Sequence, residues 1–486
     1  MLEKSLVELV SKIQHFNCEF QTIEVKSAEG GYPTRLRDTL SSFSNQDSGG
    51  VIVFGLKEKE GFATVGVYDA QDLQKKVVAQ CNEMEPVVRP LFTVVEIDGK
   101  TVVSAEIPAA DFANRPVFYR GAGKYKGSYV RVGEADELMT DDEIYSYEAF
   151  RRRIRDDIRV VEGAKTSMFR LDVVERYLEE AKKNKDNLAA NATDDGILEL
   201  MGITSDGKPT LAGVMVFSKY PQAHFPQLDI TAVVIPGTEM GETGSDGERF
   251  IANKRFNGTV SEMLDDAVKF VERNMRVKTI IDDNGKRSDK PEFPKKAVRE
   301  VILNALIHRD YSIHTEGTPI TIRMFSDRME VTNKGGLYGR ITVDSLGKVN
   351  PDTRNPTLAN ILEILHITEN RFSGIPTIRQ EMKTAGLPAP VFKSIRGEFT
   401  VTLKNNISES RAISSIESVT IAGLSERDQD LVSFCKTPRT RSEIVEHLGL
   451  TPYYATSQVL QPLVIKGLIK LTMPDKPKSP KQRFYS

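Results

Sequence analysis

Between residues 299 and 308 the chain reads Arg299-Glu300-Val301-Ile302-Leu303-Asn304-Ala305-Leu306-Ile307-His308, which sets Glu300, Asn304 and His308 four residues apart. Side chains at that interval stack on one face of a helix, and Val301, Ile302, Leu306 and Ile307 can then enter a core behind them. A Glu one turn before an Asn suits nucleotide chemistry: the amide oxygen can ligate Mg²⁺ while the carboxylate orients an attacking water. The plainer alternative is a solvated polar face, because helices with Glu and Asn four apart are common.

A helix with one strongly apolar side needs other layers to cover it, and 486 residues exceed what a single core usually organises. The sequence predicts an α/β (α+β) multidomain fold. Residues 1–150 read as an α/β unit, with a strand at Ile23–Lys26, a helix at Pro33–Phe43 and a buried strand at Val51–Phe54 behind Gly49-Gly50. Residues 151–290 read as a connecting region: a basic helix at Arg151–Arg155, a helix at Leu171–Lys183, a strand-like segment at Gly213–Phe217 and a loop at Asp282–Lys290. The third unit, 291–405, opens on Pro294 as a helix start and holds a hairpin from Pro319 to Val331, turning at Ser326-Asp327, and a strand at Glu398–Leu403. Residues 406–425, rich in Ser and Ile, read as a linker. Residues 426–486 have the outline of a winged helix-turn-helix, with a helix at Thr440–His447, a second opening at Thr451-Pro452, and Leu468–Met473 before a Lys/Pro-rich tip.

Composition excludes several classes. The longest apolar runs, such as Val51–Leu56 and Ala212–Phe217, are far too short to span a bilayer. The first helix is amphipathic rather than a signal peptide, so the expectation is a cytoplasmic protein. Cys18, Cys81 and Cys435 are too scattered for a disulfide framework or zinc knuckle. His308, His314 and His366 lack the paired spacing of metal ligands. The stretch Gly202–Pro209 nearly copies a phosphate-binding P-loop, but Pro209 stands where a hydroxyl is needed and no helix is expected to open there. Net charge is −2, yet residues 426–486 carry ten Lys/Arg against six Asp/Glu, which marks the C-terminus as a polyanion contact.

Further motifs follow the Glu300 helix. The run Asn304–Tyr311, with Asp327–Gly336, Arg354-Asn355-Pro356 and Glu369–Gly374, resembles the GHKL-like ATPase domain (an α/β sandwich) of RecG-related transcriptional regulators and ATP-binding proteins. That resemblance implies ATP and Mg²⁺ as ligands. It makes Glu300 the general base, Asn304 the Mg²⁺ ligand, and Asn333, Gly335 and Gly336 the adenine-side loop. Arg354 becomes a phosphate contact from a lid, and Ser373 and Gly374 become phosphate-binding backbone at a helix start. Asn333 stands where many of these ATPases have Asp, and Phe372 where a glycine is usual.

In the first unit, Glu24-Val25-Lys26, Phe43-Ser44-Asn45, Gly49–Gly55, Arg115-Pro116 and Tyr129–Gly133 resemble the Schlafen AlbA-type nucleic-acid-binding domain. Lys26, Arg35, Arg37, Lys124, Lys126 and Arg131, interleaved with tyrosines, are the candidate phosphate contacts there. Some Schlafen proteins cleave RNA with a carboxylate cluster, for which Glu19, Glu24 and a displaced Glu58 are the candidates here. In the C-terminal unit Tyr453, Tyr454, Thr456 and Ser457 open the expected recognition helix, and Lys476, Lys478, Lys481 and Arg483 extend the basic surface. The reading that results is an ATP- and nucleic-acid-binding regulator, DNA before RNA, and a homodimer. Two alternatives stay open: a metal-dependent nuclease, and a scaffold with a degenerate ATP fold.

Overall fold

The computed structural model describes residues 1–183, 185–244, 246–281, 287–350, 352–368, 373–405, 426–450, 455–460, 463–464, 469–472 and 482–485. The expected linker at 406–425 lies outside the described residues, as do Tyr453, Tyr454, Lys476, Lys478, Lys481 and Phe372. The chain divides into two compact units, residues 1–405 and 406–486.

Four strands form the first sheet: β1 (Ile23–Lys26), β2 (Gly50–Phe54), β3 (Leu91–Ile97) and β4 (Lys100–Ile107), in the order β1-β2-β4-β3. The β1–β2 pair is parallel and the other two pairs are antiparallel. Helix α1 (Glu3–Phe16) puts Leu6, Val10 and Ile13 against one face, where they meet Val25, Val53 and Val102. Helices α2 (Arg37–Asn45) and α3 (Ala70–Asn82) cover the other face through Leu40, Phe43, Leu73 and Val77. A hairpin of β5 (Tyr129–Val132) and β6 (Ala135–Leu138) follows, and then helix α4 (Asp141–Arg152).

The expected basic helix at Arg151–Arg155 is corrected here. Thr140 and Glu143 form a reciprocal capping box that starts the helix at residue 141, and Arg153, with φ of 54°, ends it. Arg151 and Arg152 are thus its last turn. A second correction concerns Gly213–Phe217, which is part of helix α6 (Leu211–Phe217) and not a strand; α5 is Leu171–Lys183. All seven residues of α6 are buried, so no polar face betrays the helical period, and the starting signal is Thr210, which accepts a hydrogen bond from the Gly213 N–H at 3.1 Å.

The second sheet has six strands in the order β8-β7-β11-β12-β14-β13, namely β7 (Ile230–Val234), β8 (Ala252–Phe256), β11 (Ile320–Met324), β12 (Arg328–Lys334), β13 (Val391–Ile395) and β14 (Glu398–Lys404). Only β7 and β11 run parallel. Residues 151–290 therefore supply two strands of the sheet that residues 291–405 complete, and one apolar core runs from Val161 to Leu403. Between these strands, β9 (Val277–Ile281) pairs with β10 (Arg287–Pro291), so the end of the expected loop is a strand. Helices α7 (Val260–Asn274), α8 (Lys295–His308) and α10 (Gly374–Thr384) pack together, with α8 also on β12, and α9 (Pro356–Ile364) packs against α5 and α6.

In the second unit α11 (Glu426–Phe434), α12 (Arg441–Leu448), a helical segment Ala455–Leu460, and the strands β15 (Arg439–Thr440), β16 (Lys470–Leu471) and β17 (Arg483–Tyr485) enclose a small core of Leu431, Ile444, Leu460 and Phe484. Thr440 and Glu443 cap α12, and Gly449, with φ of 60°, closes it.

Asp157 fixes α9 in place. Its buried carboxylate accepts from the backbone N–H groups of Thr357 at 2.6 Å and Leu358 at 3.2 Å, two of the donors a helix start leaves without partners. Replacing it with Ala is expected to cost about 1–2 kcal/mol of unfolding free energy in urea titration. Asp157→Asn, which keeps an acceptor, should cost less. Equal stability of Asp157→Ala and parent would show that the cap contributes nothing.

Candidate nucleotide site

Helix α8 points its polar row, three residues spaced four apart, into a cavity of about 370 Å³. Glu300, Asn304 and His308 all line it, while Val298, Val301, Ile302 and Leu306 are buried in the core. The opposite wall comes from β12, whose alternation buries Met329, Val331 and Asn333 on one side. Asn333 therefore faces the helix layer at the end of the strand. Its amide nitrogen donates to the Lys334 carbonyl at 2.9 Å, which leaves the amide oxygen as the group able to accept.

Two glycines are required by close approach. A Cβ on Gly335, where φ is +97°, would stand 2.6 Å from the Asp310 nitrogen. One on Gly374 would stand 2.8 Å from Asn304 Nδ2 and 3.1 Å from Glu300 Oε2. The first turn of α10, with Ser373 just before it, thus sits directly over the Glu300 and Asn304 side chains. Asn304 is oriented by donating from Nδ2 to the Glu300 carbonyl at 2.8 Å.

Arg354, the expected phosphate contact, borders the cavity. It is 5% exposed, stacks over Tyr338 at 4.7 Å, and reaches Asp310 Oδ2 at 3.4 Å, the Gly336 carbonyl at 3.4 Å and Ser146 Oγ of α4 at 3.2 Å. Its Nε is buried without a partner. Other contacts join the first sheet's module to the same wall: Arg340 Nε to Asp111 at 3.0 Å, Arg396 Nη1 to Glu137 at 3.0 Å, and Phe150 edge-on to Tyr338 at 5.4 Å. Glu300, Asn304, Asn333, Gly335, Gly336, Arg354, Ser373 and Gly374 all border the one cavity.

His308, which lacks the paired spacing of a metal ligand, belongs to this wall too. Its side chain is exposed toward the cavity, and desolvation by the protein crowded around it, with the Arg354 charge second, holds its pKa down to about 4. The ring is therefore neutral at pH 7. Its place four residues beyond Asn304 was the available signal.

The carboxylates of the first module are arranged around an arginine. Arg131, expected on the surface as a phosphate contact, is buried: its guanidinium meets Glu24 Oε2 at 2.8 Å, Asp136 Oδ1 at 3.0 Å and Glu19 Oε2 at 3.6 Å, over the Phe43 ring. The reason is electrostatic, since three carboxylates gathered at a sheet edge need a cation. Lys26 pairs with Glu24, Arg35 with Asp38 at 2.7 Å, and Lys124 with Glu148, while Arg37 lies over Tyr119 at 3.9 Å. Glu58 is exposed in the 58–60 turn. Among the described residues no group of three or more His, Cys, Asp or Glu side chains is placed to hold a metal ion. No described helix is long and apolar enough to cross a membrane.

Residues 19–140 match the family model described as Schlafen, AlbA_2, and residues 317–403 match the one described as "Putative ATP-dependent DNA helicase recG C-terminal". The chain thus carries a Schlafen AlbA_2 domain and an ATPase-like domain within a mixed α/β fold. The second match takes in Asn333, Gly335, Gly336, Arg354, Ser373 and Gly374 but starts after Glu300 and Asn304, whose place in the site rests on geometry. Among solved structures, the DIP2311 protein from Corynebacterium diphtheriae is 20% identical, covering 94% of this chain and 92% of that one with a TM-score of 0.40. The N-terminal domain of a "Putative ATP-dependent DNA Helicase RecG-related Protein" from Nitrosomonas europaea is 23% identical, covering 27% of this chain and 92% of that one with a TM-score of 0.23. No curated protein matches.

Glu19 gives this module a pH signature. Burial, and then the neighbouring Glu24 charge, pushes its carboxyl up to about 7 from an ordinary 4.5, against the Val25 N–H that donates to it at 2.7 Å. A carboxyl raised in the folded state favours folding fully below the unfolded pKa and loses that contribution as pH rises through the folded one. Stability from this group should therefore fall between about pH 4.5 and 7. Glu19→Gln is expected to flatten that stretch of the urea-denaturation profile and to gain on the parent at pH 8. Parallel profiles would refute it.

Proposed function

We propose that this chain binds ATP with Mg²⁺ in the α8–β12 cavity and contacts nucleic acid through its AlbA-type module and its C-terminal unit, acting as a DNA-binding regulator. The observation that carries the reading is the convergence of Glu300 and Asn304 from one helix, Asn333, Gly335 and Gly336 from one strand end, and Ser373 and Gly374 from another helix start on one cavity. Its volume of about 370 Å³ falls within the usual range for small-molecule sites.

Each residue has a part. Asn333 accepts from the base through its amide oxygen. Gly335 lets the chain turn beneath Asp310, and the backbone N–H groups at the start of α10 face the phosphates. Mg²⁺ commonly binds through one or two protein groups together with phosphate oxygens and waters, so Asn304 is a sufficient protein share; when bound, the ion supplies charge neutralisation on the phosphates. Glu300, one turn away, takes the proton of a water attacking the terminal phosphate. Arg354 draws on the same guanidinium to meet a phosphate and to hold Ser146, so nucleotide binding bears on the AlbA module.

The helix, strand, helix, helical segment and two-strand order of residues 426–485 supports a winged helix, with Thr456 and Ser457 on its recognition segment and Arg483 exposed on a wing strand. A homodimer fits a reader of paired half-sites. The nuclease alternative at Glu19 and Glu24 has less support, because Arg131 fills the space between the carboxylates.

Titration calorimetry of the full chain with ATP and MgCl₂ tests the reading. Asn304→Ala is expected to abolish the Mg²⁺-dependent part of ATP affinity without unfolding the chain; unchanged affinity would remove Asn304 from the site. Glu300→Gln is expected to keep ATP binding and to stop phosphate release, and equal turnover in mutant and parent would sink its role as base.

A further inference from the structure

Most of the cations expected to contact nucleic acid in the first module are engaged elsewhere. Arg131 is buried, Arg37 is stacked on Tyr119, and Lys26 and Arg35 are paired with Glu24 and Asp38. The remaining two, Lys124 and Lys126, stand beside further cations at the C-terminal end of α4. Glu148 draws them together: the carboxylate pairs with Lys124 and lies 3.9 Å from Arg151, and the charges of Lys124, Arg152 and Arg151 together help hold its pKa below the ordinary value. Lys126 shares the single helical turn Lys124–Gly127 with Lys124, and Arg153 follows Arg152 as the left-handed cap.

Lys124, Arg151 and Arg152 thus act on one carboxylate, and Lys126 and Arg153 lie next to them along the chain. Lys126, Arg152 and Arg153 are exposed, and among the described residues none pairs with them. Between the two lysines stands Tyr125, 61% exposed. An aromatic ring left in water between cations is the arrangement that binds single strands, because unpaired bases stack on the ring while the cations follow the phosphates. A duplex offers such a ring no free base face, and an acidic peptide offers it nothing to stack.

We propose that Lys124, Tyr125 and Lys126, together with Arg151, Arg152 and Arg153, form a binding surface for single-stranded nucleic acid, with Tyr125 as the stacking platform. This rests on the reading that the AlbA-type module contacts nucleic acid, and it centres that contact on Tyr125 and extends it from Lys124 and Lys126 to the end of α4. Glu148 keeps Lys124 and Arg151 together and leaves the surface with a net charge of +4. The same helix carries Ser146, which meets Arg354 of the nucleotide cavity at 3.2 Å.

The test is fluorescence anisotropy of the full chain with labelled oligo(dT) and oligo(U) of twenty nucleotides, over a salt series, beside a duplex of equal length and a poly-glutamate peptide. Each phosphate contact on a single strand contributes a slope of about −0.7 in log affinity against log salt. The double variant Arg152→Gln with Arg153→Gln should flatten the slope by up to about 1.4. Tyr125→Ala should weaken single-strand binding roughly fivefold or more and leave duplex binding unchanged, whereas Tyr125→Phe should retain parent affinity. Stronger binding of oligo(U) or of oligo(dT) identifies the strand as RNA or DNA. These residues are at the surface, and unchanged circular dichroism and melting would confirm that the variants fold. If parent and variants bind single strands with the same affinity and slope, this surface is overturned while nucleic-acid binding stands. Equal loss on the duplex or the peptide overturns the single-strand specificity. A parent chain that binds no nucleic acid overturns both readings.

Discussion

Burial of the apolar side of α8 between β12, α7 and α10 is the constraint on which the rest depends. Eight residues of that helix, from Ala297 to Ile307, are buried. With the helix pinned in rotation by so much apolar contact, the remaining row at 300, 304 and 308 has one direction in which to point. At roughly 1.5–3 kcal/mol for each large apolar side chain removed from water, no rotation that exposed this face would be populated. The polar row is held by a core that takes no part in chemistry, and that separation gives a site its fixed geometry.

Around that helix the structure concentrates charge in places that exclude water. Arg354 and Asp310 are both buried and 3.4 Å apart, with the guanidinium also held by Ser146, the Gly336 carbonyl and the Tyr338 ring. Desolvating two charges is costly, and such a pair persists where several partners share it. Here the partners come from just beyond the end of α8, from the loop after β12 and from α4 of the first module. His308 beside it opens to the cavity, and its pKa is lowered by desolvation and then by the Arg354 charge. A second charged group, Arg131 among Glu19, Glu24 and Asp136, organises the edge of the first sheet in a similar way, and it accounts for the raised carboxyl of Glu19.

Much of this was legible along the chain. The interval of four between Glu300, Asn304 and His308 fixed a helix and its polar face, because the helical period is a local property. The strands at residues 23–26 and 51–54, the hairpin turning at Ser326-Asp327, and the capped helix after Thr440 follow from alternation, turn residues and capping, which are also local. Gly213–Phe217 misled because a segment buried on every side carries no period, and Arg151–Arg155 because a run of like charges does not say where a helix begins.

What the sequence by itself determined is where most of the short helices and strands lie and which residues, Glu300, Asn304 and His308, share one polar helix face. Only the tertiary structure decided what those residues meet. It joined β7 and β8 from the middle of the chain to the sheet of the ATPase-like half, brought Gly374 to within one methyl group's distance of Asn304, and seated Arg354 against a helix some two hundred residues earlier. It also withdrew Arg131 from solvent and left Arg152 and Arg153 exposed. Whether a cation is a surface contact or an internal counter-ion depends on carboxylates supplied by distant segments, and composition and spacing contain no record of those distances.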